Sequence, residues 1–387
     1  MTIALLALFA AAFAIGTSEF VIAGILPAVS ADLGISIPTA GFLVSFYALG
    51  VAVGGPVLAT FTGRFPRKLL LLIYVAIFVA GYVLCALAPS YPVLLVLRVL
   101  IALIHGAYFG TAMVTATSIA AENKRGTAVA LILAGLTVAN IIGVPLGTAI
   151  GNAFGWRMTF WAVAALGAVS FALIAVLVPV DRAHDTHQGN ILAGIKTLAR
   201  EPVLTSLAVI ILQTIGQFAL FTYISPLLTG VSGIGLDAVP WLLLLFGIGS
   251  TLGVLLGGRL ADWKLMPSLV GILALQIVIY LLMALFAGYP VVMGALVLVW
   301  GATAFAFGSP VQTRILNNTR DAPMLAANLI PSAFNIAIAG GAWLGGTLID
   351  AGASYAILPW VGVAGATLAT ATALGSALRE RRAGTAA

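Results

Sequence analysis

Long apolar segments separated by short polar connections run along the whole chain. Each apolar segment has about 20 residues or more, which is the length that an α-helix needs to cross a bilayer. The pattern therefore predicts an all-α membrane protein with twelve transmembrane helices. We number the predicted spans 1 to 12 in chain order: 3–27, 38–61, 67–88, 92–119, 125–151, 157–179, 203–228, 238–261, 265–287, 290–316, 323–349 and 356–378.

One long polar connection, between spans 6 and 7, divides the spans into two sets of six. We expect an N-terminal six-helix bundle at 1–179, a cytoplasmic linker at 180–201 and a C-terminal six-helix bundle at 202–387. The turns after spans 2 and 8 echo each other, as Ala59-x-x-x-Gly63-Arg64 and Gly258-x-x-x-Asp262-Trp263. Internal repeats are typical of secondary transporters, whose binding site lies between the repeats.

The composition points to lipid as the solvent and away from other function classes. Of 387 residues, 62% are hydrophobic and 7% are charged, against about 25% charged in a soluble domain. Cys85 is the one cysteine and the three histidines have no metal-ligand spacing, so we expect neither a metal nor a cofactor. The sequence has no catalytic constellation and no nucleotide-binding loop, which disfavours an enzyme and an ATP-driven pump.

The basic residues predict the orientation. Of 17 Lys and Arg residues, Arg98 lies inside span 4 and Arg157 lies on one side of the membrane, while the other fifteen lie on the opposite side. Positive charge accumulates in cytoplasmic connections, so both termini should be cytoplasmic in the cell membrane. Because these charges form small loop clusters, the net charge of +6 does not indicate a nucleic-acid partner.

Glu19 is the most informative residue, because it interrupts the apolar stretch of span 1. A carboxylate at membrane depth costs roughly 2.5–3.5 kcal/mol on insertion scales, so such a residue usually serves a function such as proton binding. Arg98 lies at a similar depth, roughly 11 Å below the outer end at about 1.5 Å per residue, so the two side chains can meet. The alternative is a static ion pair. His105 shares a helix face with Arg98 and either relays protons or simply packs.

Several motifs support a more specific assignment. They are Gly16 to Phe20 with Leu26-Pro27 in span 1, Arg98 with His105-Gly106 in span 4, Gly135, Gly143, Pro145 and Gly147 in span 5, Gly155-Trp156-Arg157, and Phe334-Asn335 with Gly340-Gly341 in span 11. Over nearly the whole chain these residues resemble the major facilitator superfamily, in its twelve-span drug/proton antiporter branch. The last motif resembles sugar-efflux and chloramphenicol-efflux transporters. The resemblance implies two pseudo-symmetric bundles around a cavity and proton-coupled export of drugs or sugars by alternating access. Proton symport of a metabolite into the cell is the alternative.

Neutral polar and aromatic side chains at mid-span suit a small amphipathic ligand, although each is equally expected as an interhelical contact. The candidate substrate-binding residues are Tyr47, Tyr108, Phe109, Asn140, Gln213, Gln217, Phe221, Trp300 and Asn335. The expected partners are a small-molecule substrate, protons and membrane lipid, and we expect a monomer.

Small residues recur every four positions in several spans and allow helix backbones to touch. The packing candidates are Gly143, Pro145, Gly147, Gly253 and Gly341. The resemblance implies that span 5 pairs with span 8, and span 2 with span 11, across the two halves. It also implies a cytoplasmic gate, for which the candidates are Arg64, Arg67, Lys68, Asp262 and Asp321; Gly63 replaces an aspartate that the family carries in this loop.

Overall fold

The computed structural model describes residues 3–62, 64–180, 200–319 and 323–384. The side chains of residues 59, 323–328 and 381–384 are outside this description. The described ranges are mainly α-helical and contain no β-strand.

Twelve helices among the described residues are long and apolar enough to cross a membrane, which confirms the predicted fold class. In the first half they are Ile3–Leu33, Ile37–Thr62, Arg67–Ala86, Tyr91–Ile119, then Arg125–Val138 continued by Ala139–Gly143 and Val144–Phe154, and Trp156–Leu177. In the second half they are Glu201–Thr222 continued by Ile224–Gly230, Val239–Trp263, Leu265–Leu285, Pro290–Ala306 continued by Gly308–Asn318, Pro323–Asp350 and Leu358–Gly384.

The two halves repeat the same helix pairings. Span 1 packs on spans 5 and 6, and span 7 packs on spans 11 and 12. Span 3 packs on spans 4 and 6, as span 9 does on spans 10 and 12. The turns repeat too, because Gly34 and Gly233 both follow the first helix of their half with a positive φ. Only glycine adopts such a φ at little cost, so the repeated glycines mark repeated chain reversals.

Span 1 is longer than its predicted range of 3–27. The helix continues through Pro27 to Leu33. A membrane helix tolerates an internal proline because neighbouring groups satisfy the backbone carbonyl that loses its partner. This extension carries Asp32 on the last helical turn, at the end of the bundle where span 6 begins with Trp156 and Arg157.

Span 5 changes its winding at the motif that carries Pro145. Residues Ala139–Gly143 form a π-helical turn, and the α-helix resumes at Val144. Proline has no N–H, so one carbonyl in the preceding turn loses its helical partner, and π-turns often occur at functional sites. Asn140 lies in this turn and its amide donates to the Leu136 carbonyl at 3.2 Å.

The chain forms two compact units. The first contains spans 1 to 6 together with residues 235–244, and the second contains residues 200–234 and the chain from 245 onward. Of the predicted linker at 180–201, residues 181–199 lie outside the described part of the chain.

The glycine faces pack against neighbouring helices of their own units. A side chain at Gly143 or Gly147 would meet span 1, at Thr17 and Val21 respectively. A side chain at Gly253 would meet span 10 and one at Gly341 would meet span 7. These glycines are needed because the neighbouring helix leaves no room for a Cβ atom, and that neighbour belongs to the same half.

Candidate functional site

Span 1 presents the Glu19 carboxylate to span 4. The hydroxyl groups of the two preceding residues donate to carbonyls of their own helix, Thr17 to Phe13 and Ser18 to Ile15. Its Oε2 atom lies 3.8 Å from Nε2 of His105, and the two side chains are 10% and 7% exposed. This separation exceeds hydrogen-bond length by less than 1 Å, so a small shift would bring the two groups into hydrogen-bond contact.

His105 is held in place from two sides. The Tyr47 hydroxyl of span 2 lies 3.1 Å from its Nδ1 atom, and the Phe109 ring lies 5.2 Å from the imidazole centroid. If the tyrosine donates, Nε2 carries the ring proton towards Glu19; in the other tautomer Nε2 is an acceptor. The direction of the hydrogen bond with Tyr47 therefore determines whether Nε2 of His105 presents a donor or an acceptor to Glu19.

Arg98 is fully buried two turns before His105 on span 4 and stacks its guanidinium on the Tyr47 ring, 4.5 Å from the centroid. Its Nη1 donates to the Ser18 carbonyl and to the Tyr82 hydroxyl, both at 3.4 Å. Within the described part of the chain, Nε and Nη2 have no hydrogen-bond partner. The guanidinium is thus held by neutral oxygens and a ring face.

The ion pair between Glu19 and Arg98 that the sequence allowed is absent. Spans 1 and 4 do meet at this depth, because Arg98 bonds to the backbone of Ser18, the residue before Glu19. The carboxylate, however, points to His105, and no oxygen of Glu19 lies within 4.0 Å of a guanidinium nitrogen. A depth argument places two residues at one level but cannot fix the rotamers that decide which groups touch.

Together these contacts make one buried polar chain across four spans. It runs from Glu19 through His105, Tyr47 and Arg98 to Tyr82 of span 3. Tyr82 was not among the predicted site residues, because a single tyrosine in an apolar span resembles an interface anchor. The available signal was the internal repeat, since Tyr280 occupies the corresponding place in span 9.

The remaining substrate candidates of the first unit have different surroundings. The Tyr108 hydroxyl donates to the Leu8 carbonyl at 2.7 Å and ties span 4 to span 1. Phe109 is buried and stacks against both Tyr108 and His105. Phe109 therefore lies at the polar chain, whereas Tyr108 has its hydroxyl engaged with the backbone.

In the second unit, the aromatic candidates form a buried ring cluster. Trp300 lies 4.7 Å from Phe246, and Phe221 lies 4.9 Å from Phe246, both between ring centroids. Gln213 is fully buried, and its Nε2 donates to the Tyr280 hydroxyl at 3.4 Å. The ring contacts of Trp300 and Phe221 and the hydrogen bond of Gln213 are thus made with other side chains of the same unit.

Two further candidates of that unit are also buried. The Asn335 amide donates to the Pro331 carbonyl of its own helix at 3.0 Å, while its Oδ1 has no hydrogen-bond partner in the described ranges. Gln217 lies one turn after Gln213 and is 3% exposed.

The described gating candidates lie at or near helix ends. Lys68 donates to the Ala175 carbonyl at 2.7 Å, near the C-terminal end of span 6, where a cation is favoured. Arg64 lies over the Phe65 ring and Arg67 begins span 3. Asp262 forms no ion pair with any described residue, and Asp321 lies outside the described ranges.

Two polar clusters at helix ends were not predicted. In the first unit, Asp32 accepts hydrogen bonds from Trp156 and Arg157, and Arg157 also donates to the Ala88 carbonyl, which joins the ends of spans 1, 3 and 6. In the second unit, the buried Arg314 donates to Glu380 at 2.6 Å. It also bonds to the hydroxyls of Ser376, Thr205 and Ser206.

Among the described residues, twelve helices are long and apolar enough to span a membrane, and they form two like-folded halves with ionisable side chains buried between helices. This is the pattern of a membrane transporter. Residues 8–323 match the Major Facilitator Superfamily, and the chain belongs to that family. It is therefore a multi-pass membrane transporter and not an enzyme.

Comparison with known proteins supports this assignment. The chain is 38% identical to the inner membrane transport protein YdhP of Escherichia coli (strain K12), over 97% of this chain and 96% of YdhP. It is 35% identical to a chloramphenicol resistance protein of Streptomyces lividans, over 90% of each chain. The crystal structure of a bacterial homologue of the human lysosomal transporter Spinster has the same fold. Its TM-score is 0.74 at 16% identity, and the match covers 96% of this chain and 93% of that one.

Proposed function

We propose that this protein is a proton-coupled exporter of small amphipathic molecules, such as drugs or sugars, and that it works by alternating access. The observation that carries the proposal is the buried contact of Glu19 with His105, beside the Arg98 guanidinium, which has no paired carboxylate among the described residues. Similarity to a chloramphenicol resistance protein favours export of a drug-like compound.

Coupling follows from the cost of buried charge. A charged Glu19 is stabilised by the nearby Arg98 and destabilised by its apolar surroundings, and the balance depends on hydration and on the separation of the groups. Opening the site to one side of the membrane changes both quantities, so proton affinity differs between the two states. A substrate that favours the proton-releasing state then exchanges for a proton without further chemistry.

His105 and Tyr47 extend this site in the proposal. Nε2 of His105 faces the carboxylate of Glu19, and Nδ1 contacts the Tyr47 hydroxyl. The imidazole can therefore accept a proton from Glu19 or fix the orientation of the Glu19 carboxylate. Phe109 packs on the imidazole, so a ligand that displaces the Phe109 ring would also move His105.

The substrate class follows from the scarcity of charge around the candidate residues. In the first unit, Asn140 lies in the π-helical turn of span 5. In the second unit, the candidates are neutral amides and rings, with Gln213 and Trp300 among them. Few precisely placed polar groups among apolar surfaces suit uncharged or weakly charged ligands. A thermal-shift panel of drugs, sugars and multiply charged metabolites tests this; stabilisation by the last group alone would contradict it.

The proposed orientation places both termini and the linker in the cytoplasm, in a monomeric protein with the six-span halves at 1–179 and 202–387. Its support is the accumulation of basic residues on one side. A cysteine introduced at position 190 should react with an impermeant thiol reagent only after the membrane is opened. Cys85 is buried, so the parent gives a low background. Labelling of the 190 variant in intact cells would refute the orientation.

The direction of coupling is tested in oriented proteoliposomes with radiolabelled chloramphenicol as the probe, or with the best ligand of the thermal-shift panel. Under an imposed proton gradient, exchange predicts that the compound moves against the direction of proton flow. Movement in the same direction as the protons would replace export by symport, and the absence of gradient-dependent flux would remove the coupling proposal.

A further inference from the structure

The internal repeat fixes which residues of the two halves correspond. Span 4 begins at Tyr91-Pro92-Val93 and span 10 at Tyr289-Pro290-Val291, and these motifs lie 198 residues apart. At the same spacing, Tyr82 of span 3 corresponds to Tyr280 of span 9, whereas Arg98 corresponds to Leu296. The tyrosine is thus present in both halves and the arginine in one.

Each of these tyrosines accepts a hydrogen bond from a side chain of a neighbouring helix. Both are fully buried, and both hydroxyl oxygens lie 3.4 Å from the donor, which is Nη1 of Arg98 for Tyr82 and Nε2 of Gln213 for Tyr280. The same structural position therefore orients a cation in the first half and a neutral amide in the second.

The Tyr82 hydroxyl accepts one of the two hydrogen bonds that orient the Arg98 guanidinium. The guanidinium forms only two hydrogen bonds within the described ranges, both from Nη1, and the other acceptor is the Ser18 carbonyl. A buried guanidinium with so few partners has an orientation that one lost acceptor will change. Ser18 directly precedes Glu19 in span 1. If the guanidinium rotates while it remains near the Ser18 carbonyl, its distance from the Glu19 carboxylate therefore changes.

The Tyr82 ring is itself fixed by packing. It contacts Phe78 at 4.7 Å and Phe160 at 5.6 Å, and Phe160 contacts Trp156 at 5.5 Å between ring centroids. The Trp156 indole donates to Asp32 at the end of the bundle. The hydroxyl is therefore presented to Arg98 by a packed aromatic column.

We propose that Tyr82 is a positioning residue of the proton site: its hydroxyl holds Arg98 away from Glu19 and thereby sets the pH range in which transport is coupled. This inference rests on the proposed function. Without the hydroxyl, the guanidinium keeps its stacking on Tyr47 but is free to turn towards the carboxylate, which stabilises the charged form of Glu19.

The test compares Tyr82→Phe with Tyr280→Phe in proteoliposomes, with chloramphenicol or the best panel ligand as the probe. Both variants lose one buried hydroxyl and keep the ring. For Tyr82→Phe, the pH midpoint of gradient-driven flux should move to lower pH by about 0.5 unit or more, with the KM for the probe nearly unchanged. The Tyr280→Phe midpoint should equal that of the parent, whatever the change in rate.

Equal pH midpoints for Tyr82→Phe and the parent would overturn the inference. If Tyr82→Phe transports too slowly to measure, the pH dependence of the melting temperature in detergent provides the same comparison, with Glu19→Gln as the variant that lacks the titrating group. If Glu19→Gln abolishes coupling while Tyr82→Phe keeps the parent's profile, only this inference fails. If Glu19→Gln retains the parent's coupling, the proposed function fails.

Discussion

The contact between spans 2 and 4 allows a sharp test, because both helices carry residues of the polar chain. The Cα of Gly55 would lie only 2.9 Å from a Cβ added at Gly106, and the Val51 carbonyl oxygen 3.1 Å from it. These are backbone atoms, which cannot turn aside as a flexible side chain can. Normal carbon contacts need about 3.5–4.0 Å, so Gly106→Ala forces the helices apart by about 0.5–1 Å.

Two consequences follow from that displacement. Overpacking of this kind costs about 1–3 kcal/mol of stability. Tyr47 lies on span 2 and His105 is adjacent to Gly106, so the 3.1 Å contact of the tyrosine hydroxyl with Nδ1 lengthens beyond hydrogen-bond range. We therefore expect Gly106→Ala to lower both the melting temperature and the proton-driven flux.

Gly110→Ala is the matched control, one turn further along the same helix. A Cβ at Gly110 would have no neighbouring atom within 4 Å, and both variants gain the same helix propensity of about 1 kcal/mol. The difference between the two variants in the unfolding free energy thus isolates the overpacking. If Gly106→Ala is as stable in detergent and as active in proteoliposomes as Gly110→Ala, the close approach of spans 2 and 4 is wrong.

Two further predictions concern the buried polar groups, Arg314 and Tyr47. Arg314→Ala should destabilise the protein by roughly 2–3 kcal/mol. This is below the usual range for a buried ion pair, because its partner Glu380 is 41% exposed. The control is Arg379→Ala, which removes a 67% exposed side chain and should cost under about 1 kcal/mol. Equal melting temperatures for the two variants would contradict this. Tyr47→Phe should reduce proton-driven flux, because it leaves Nδ1 of His105 without its hydrogen-bond partner; parental flux would exclude a role for that contact.

The fold was predictable because the bilayer imposes a length and a polarity on every span. All twelve predicted spans are helices, and most boundaries differ by only a few residues. Two departures from the predicted pattern have local causes. The helix of span 1 passes through Pro27, and span 5 accommodates Pro145 by a π-helical turn that a hydrophobicity pattern does not reveal.

The site was predictable at the level of helices but not of contacts. Glu19 lies on span 1 and Arg98 and His105 lie on the adjacent span 4, yet Glu19 contacts the histidine and Arg98 contacts Tyr82. Those choices depend on side-chain rotamers and on neighbouring aromatic rings, which spacing along one helix does not encode. The glycine pattern likewise predicts close packing but not the partner, which for Gly143 is span 1.

The central claim is that Glu19 binds the coupled proton, and Glu19→Gln tests it most directly because the amide keeps the size of the side chain and removes its titrating group. The measurement is the flux of chloramphenicol, or of the best panel ligand, in proteoliposomes under imposed pH gradients of increasing size. We predict that the Glu19→Gln flux is independent of the gradient while ligand binding by thermal shift persists. A flux that rises with the gradient as steeply as the parent's would place the proton site elsewhere and contradict the mechanism.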